Sequence, residues 1–161
     1  MYKTACALTP LLLAIAGCSS VSLADPAAEA RLLPTAGSST NGIVRFVSRA
    51  GGVEVHAEVR GLPPNSVHGF HVHENGDCSA PDAMSAGGHF NPGASAHGAF
   101  DASAHHAGDL PSLRADASGV ARIDYVSSSI SMGTGAANDV VGKGLIVHRD
   151  PDDFTTQPTG N

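Results

Sequence analysis

Tryptophan is absent from this chain of 161 residues, aromatic residues make up only 4% of it and charged residues only 15%. With 19 glycines and 10 prolines beside so few charges, the chain is short of helix formers and rich in turn residues, which excludes a helical bundle or a coiled coil. Basic residues are scarce as well. The 9 lysines and arginines stand against 15 aspartates and glutamates, a formal charge of −6, so the basic patch that a phosphate backbone requires is missing and nucleic acid is excluded as a partner. Length leaves no room for a second core, and one domain is expected. Against these shortages stand nine histidines, an excess that points to metal.

The N-terminus reads as an export signal over residues 1–17. One early cation, Lys3, precedes an apolar stretch ending in Leu11, Leu12, Leu13, Ala14, Ile15, Ala16 and Gly17, too short to span a bilayer as a permanent helix. The junction Ile15-Ala16-Gly17-Cys18 looks like the lipobox of bacterial lipoproteins, which predicts cleavage before Cys18 and acylation of its sulfur. A rival cut follows Ala24, where Ser22-Leu23-Ala24 fits the small-x-small rule. The expected location is the bacterial periplasm or cell envelope, with contact to the membrane through a lipid on Cys18. Loss of the leader also removes Lys3 and takes the formal charge to −7. Residues 18–40, rich in Ser, Ala and Pro, read as a flexible tether, and 41–161 as the folded domain. Cys6 leaves with the leader and Cys18 carries lipid, so Cys78 stands alone in an oxidising compartment.

Within the domain, Val53, Val55, Ala57 and Val59 alternate with Glu54, His56, Glu58 and Arg60, the period of a half-buried strand. Its neighbour Ile43–Val47 joins it through Ala50-Gly51-Gly52 as a hairpin. Further strands are predicted at Val67–Glu74, Ser112–Ala115, Val120–Ser127 and Val140–His148, with Asp116-Ala117-Ser118-Gly119 as a turn. The fold expected is an all-β antiparallel sandwich or flattened barrel. Residues 75–110 are too long and too rich in Gly, Ala, Ser and His for a passive connection.

In the segment 67–73, period two puts His71 and His73 on one face with Phe70 and Val72 on the other, and the apolar run 144–147 ends in His148. Three neutral imidazoles with open coordination positions suit copper, zinc or iron. The long loop adds His89, His97, His106 and Asp109, a donor set suited to tetrahedral zinc that would also order a glycine-rich loop. Other readings accompany these. His56 shares a polar face with Glu54 and Glu58 and reads as a surface residue; His68 points away from His71; His105 could exchange roles with His106; Asp109 could be a turn residue, and Asp152 one of an acidic surface run with Asp150 and Asp153.

The ordered blocks Gly69-Phe70-His71-Val72-His73-Glu74, Gly88-His89-Phe90-Asn91-Pro92, His97-Gly98, His106-Ala107-Gly108-Asp109 and Val147-His148 resemble the bacterial copper/zinc superoxide dismutases, from about Ile43 to Asn161. The resemblance implies a Greek-key sandwich with long metal-binding loops and a redox-cycling copper held by His71, His73, His89 and His148. It implies zinc held by His89, His97, His106 and Asp109, with His89 as a bridging imidazolate and Asp152 as support linking a copper histidine to a zinc histidine. Superoxide is the implied substrate, Lys143 and Arg149 are candidate cations to attract it, and a homodimer is one arrangement left open. The family normally continues into a Gly-x-Arg element and a last strand with Ala-Cys-Gly, whereas these residues stop at Thr159-Gly160-Asn161. The expectation is therefore a domain lacking that strand, the arginine near copper and the cysteine that would pair with Cys78, a disulfide worth roughly 2 to 5 kcal/mol. Without those parts, the alternative function is a non-catalytic copper-binding or copper-buffering envelope lipoprotein.

Overall fold

The computed structural model describes residues 27–160, so the leader 1–17, the lipidation site Cys18 and the first part of the tether lie outside the described residues. Eight strands follow one another: β1 (Ala27–Leu32), β2 (Asn41–Arg49), β3 (Gly52–Arg60), β4 (Val67–His68), β5 (Phe70–His73), β6 (Leu113–Arg114), β7 (Ala121–Ser127) and β8 (Gly144–Val147). One short 3-10 turn, Met84–Ala86, is the only helical piece among the described residues.

Alternation explains the main sheet. In β3, Val53, Val55, Ala57 and Val59 are buried while the residues between them are not, and β2 buries Val44 and Phe46 opposite Ala57 and Val55. β7 joins the far edge of β3, with Tyr125 opposite Val55 and Ala121 opposite Val59. The sheet order is β1-β2-β3-β7, and two antiparallel pairs, β4 with β6 and β5 with β8, complete the fold. Side chains of the sheet pack on Phe70, Val72, Phe90, Leu110 and Leu113 from the pairs and the long loop. Every pairing between strands is antiparallel, and no closed barrel forms among the described residues, so the architecture is an open sandwich.

Three expectations need correction. Residues 27–32, read as tether, form β1 and pair along their whole length with β2, from Ala27 opposite Val47 to Leu32 opposite Gly42. Small residues hide this strand in the sequence: Ala28 and Ala30 pack on the core without the bulk that usually marks a period of two. The segment 67–74 is not one strand, because it changes partner at Gly69, whose N–H donates to Asp150 O at 3.0 Å while its carbonyl accepts from His148 N at 2.9 Å. A Cβ on Gly69 would sit 3.0 Å from the His71 ring, closer than packing normally allows. Finally, residues 140–143 form a turn, with Lys143 N–H donating to Val140 O, so the last strand starts only at Gly144.

β5 positions the site. All four of its residues are buried, Phe70 and Val72 in the core and His71 and His73 beneath the long loop. The loop docks on the strand by ladder-like bonds: Val72 N–H donates to Gly108 O, Phe90 N–H to Val72 O and Glu74 N–H to Gly88 O, at 2.8 to 3.0 Å, while Gly108 N–H donates to Phe90 O within the loop.

Candidate metal centre

The seven donors come from β5, the end of β8 and the long loop, and they gather into two groups that share one residue. His71, His73, His89 and His148 form the first; His89, His97, His106 and Asp109 form the second, and within each group the candidate ligand atoms lie within 4.8 Å of one another. Backbone pairing of His71 with Asp109 and of His73 with His89 puts loop donors beside strand donors. The rings are close, the centroids of His71 and His89 being 3.9 Å apart.

Hydrogen bonds fix which nitrogen each ring offers. His73 Nδ1–H donates to Gly87 O at 2.8 Å, which turns Nε2 toward His148 Nε2 at 3.3 Å. Two ring nitrogens at that separation need a shared proton or a cation between them. His71 Nε2–H donates to Asp152 Oδ2 at 2.7 Å and His97 Nε2–H to Asp152 Oδ1 at 2.8 Å, so one carboxylate orients a ring from each group. Asp109 accepts from His89 Nδ1–H at 3.0 Å, from His106 N–H at 2.8 Å and from Gly98 N–H at 3.3 Å. Four nitrogens remain buried without a hydrogen-bond partner, His71 Nδ1, His89 Nε2, His97 Nδ1 and His106 Nδ1, and all belong to rings of the two groups. Leaving a polar atom buried and unsatisfied costs about 1 to 3 kcal/mol each, a cost that a metal ion at these atoms removes.

Electrostatics keeps the rings ready to ligate. Burial, reinforced by His89 and His148, pushes His71 down to about 3. Burial, with His73 and His89, pushes His148 down to about 4, and burial lowers His73 and His106 too. These rings are therefore neutral at physiological pH, the form that coordinates metal. Burial by itself would raise Asp109, yet its bonds from His89 and from the His106 N–H bring it down to about 2. Nitrogen-only donors in one group and three imidazoles with a carboxylate in the other fit copper and zinc respectively.

The remaining sequence candidates fall outside both groups. His105 Nδ1–H donates to His106 O, and it is His106 whose ring joins the second group. His68 Nδ1–H donates to His148 O at 2.8 Å and so ties β4 to the backbone of a donor residue. His56 lies on the exposed face of β3 between Asp124 and Glu54. Arg149 is 92% exposed in its side chain and paired with Asp150, whereas Lys143 donates to Glu74 O and lies 4.9 Å from the centre of the Phe90 ring. Cys78 is exposed and free. Two supports escaped the sequence reading: the Gly87 carbonyl on His73, and Gln157, whose amide bonds the backbone of His97. Neither carries a local sequence signal, since both act across folds of the loops.

Comparison with known proteins agrees with this geometry. Residues 40–161 match the family model described as copper/zinc superoxide dismutase. The chain is 35% identical over 140 residues to "Superoxide dismutase [Cu-Zn] 2" of Aquifex aeolicus, covering 85% of this chain and 81% of that protein. It is 34% identical over 174 residues to "Superoxide dismutase [Cu-Zn]" of Deinococcus radiodurans, covering 100% of this chain and 92% of the relative. Among solved structures, a SOD-like protein from Bacillus subtilis superposes with a TM-score of 0.69 at 35% identity, covering 74% of this chain and 82% of that one.

Proposed function

The chain belongs to the copper/zinc superoxide dismutase family, and from that premise we propose that it converts superoxide to dioxygen and hydrogen peroxide as an antioxidant of the cell envelope. The observation that carries this reading is the set of four ring nitrogens buried without a hydrogen bond, two of them facing Asp109 at 3.1 and 3.4 Å, distributed over two groups that share His89. His71 Nδ1, His73 Nε2, His89 Nε2 and His148 Nε2 would hold copper, and His89 Nδ1, His97 Nδ1, His106 Nδ1 and Asp109 would hold zinc. Bound copper supplies the one-electron exchange by which one superoxide is oxidised and a second, with two protons, is reduced.

The chain's own residues do the rest. His89 is the one ring common to both groups: its Nδ1 bonds Asp109, and its Nε2, buried without a hydrogen-bond partner, is the atom that can carry a proton whenever it does not hold metal. Asp152 locks the rings of His71 and His97 in the tautomer that leaves Nδ1 of each free for metal. Lys143, which forms no ion pair among the described residues, is the cation we assign to drawing the anion in, because its contacts, the Glu74 carbonyl and the Phe90 ring, leave its charge uncancelled.

The test is superoxide consumption by the copper- and zinc-loaded protein beside a His148→Ala variant. Turnover that disappears in the variant while zinc is retained supports the assignment. Both metals bound with no turnover would overturn it in favour of a copper-binding or copper-buffering lipoprotein. The envelope location rests on the leader 1–17 and on Cys18. Wild-type protein in the membrane fraction, released by Cys18→Ala, is the expected result, and equal partition of both would refute the lipid anchor.

A further inference from the structure

Gln157 lies in the loop after β8, five residues beyond Asp152, and belongs to neither donor group. Both ends of its amide engage the backbone of one residue. His97 N–H donates to Gln157 Oε1 at 2.8 Å, and Gln157 Nε2 donates to His97 O at 3.0 Å and to Thr155 O at 3.2 Å. The side chain thus imitates a strand neighbour, pairing with the donor and acceptor of the same residue as an antiparallel ladder does. The amide orientation follows from the network, since the reverse would set a donor against His97 N–H and an acceptor against two carbonyls.

That clamp falls on a segment that needs one. The stretch around His97 is poor in regular structure, and its ring is buried while its chain neighbours Ala96 and Gly98 give no side-chain anchor. The loop after β8 grips the same residue twice: Gln157 holds its backbone and Asp152 accepts from its Nε2–H at 2.8 Å. Gly160 closes the loop against both, at φ 69°, where a Cβ would come within 2.5 Å of Asp152 Oδ1 and 3.0 Å of His97 Nε2. With the backbone and Nε2 set, the remaining nitrogen, Nδ1, is directed at the second donor group, 3.1 Å from Asp109 Oδ2, and is buried without a hydrogen bond.

We infer that Gln157 is a positioning residue for the zinc group, fixing the backbone of His97 so that Nδ1 meets the other donors. The inference rests on the assignment of the second group to zinc. No hydrogen bond links Gln157 to a member of the first group among the described residues, and Asp152 keeps its bonds to His71 and to Phe154 N–H without it. Loss of the amide is therefore felt by zinc and not by copper.

The experiment compares Gln157→Ala and Gln157→Met with the wild-type full chain, loaded with both metals. Zinc loss to a chromogenic chelator is timed, and copper affinity is measured separately by competition. Methionine keeps the length of the side chain but neither bond, so it separates hydrogen bonding from packing. Both variants are expected to weaken zinc retention by roughly 10- to 100-fold, as removal of an outer support of a metal ligand does, with copper affinity unchanged. Unaltered zinc retention in either variant overturns the inference. So does equal weakening of both metals, or loss of the far-UV spectrum of the metal-free protein, because each would make Gln157 a support of the fold as a whole. Wild-type protein that holds no zinc would instead refute the zinc assignment beneath it.

Discussion

Asp152 accepts a ring N–H at each of its two oxygens, and that symmetry makes it sensitive to the smallest substitution. Asp152→Asn would place an NH2 group against one of the rings, which can then bond only by moving its own proton to Nδ1, the atom aimed at the metal. Affinity for copper or zinc, whichever ring is turned, is expected to fall roughly 10- to 100-fold, readable by chelator competition for each metal. The depressed imidazoles also give the metal-free protein a definite pH dependence. His71 and His148 titrate near 3 and 4 when folded and near 6.5 when unfolded, so the unfolded chain binds more protons throughout that interval. Stability is full above about pH 6.5 and declines as pH falls toward 4, by an amount on the order of a few kcal/mol. Asp109, also depressed, adds a loss of the same sign below its usual value. Urea midpoints of the metal-free protein at pH 7.5 and 4.5 check this, and a midpoint no lower at 4.5 would contradict it.

At the scale of elements, the long loop acts as further strand partners for β5 even though most of it has no regular structure. Residues 88–90 and 108–110 bond to one edge of β5, and β8 bonds to the other, so five of the seven candidate donors hang on one short strand and its neighbours. Gly108 makes the close approach feasible: a Cβ there would lie 2.4 Å from Val72 O and 3.1 Å from Phe90 Cβ, both held in place by the core. Gly108→Ala must lift the loop from the strand next to Asp109. A destabilisation of about 2 kcal/mol or more is expected, with zinc affinity falling further than copper affinity, measured by thermal melting and metal competition. An alanine variant with wild-type melting would mean that the loop has slack that the ladder does not reveal.

Charge belongs to the whole molecule. An anionic substrate meets a protein of formal charge −6, and most of the arginines of the described residues are spent on carboxylates: Arg31 and Arg45 on Glu29, Arg60 and Arg122 on Glu58, Arg149 on Asp150. Lys143 bonds a carbonyl and an aromatic face, neither of which cancels its charge. Lys143→Gln should lower kcat/KM severalfold while leaving metal content intact, and should weaken the fall of kcat/KM with rising ionic strength. An unchanged salt dependence would remove Lys143 from the approach of the anion.

How much of this could be read without coordinates depends on whether the information is local. The alternation over 53–60, the turn at 116–119 and the pairing of His71 with His73 on one face follow from the period of a strand and the conformational demands of turns, which adjacent residues carry by themselves. The types of donor were equally legible, because nine histidines in so small a chain have few other uses. The sequence could not disclose β1, whose small inward alanines resemble a linker, nor the break at Gly69, which answers to a strand end 79 residues away. Residue type alone left His105 and His106 interchangeable, and only the family resemblance favoured His106; the two are adjacent in the chain but divided by the turn that sends one ring inward and leaves the other bonded to its neighbour's carbonyl. The nitrogen that each ring offers, the particular rings, His71 and His97, that Asp152 joins, and the clamp of Gln157 were decided by tertiary structure alone. All three are contacts between segments distant in sequence, and only burial makes such contacts strong enough to fix a tautomer.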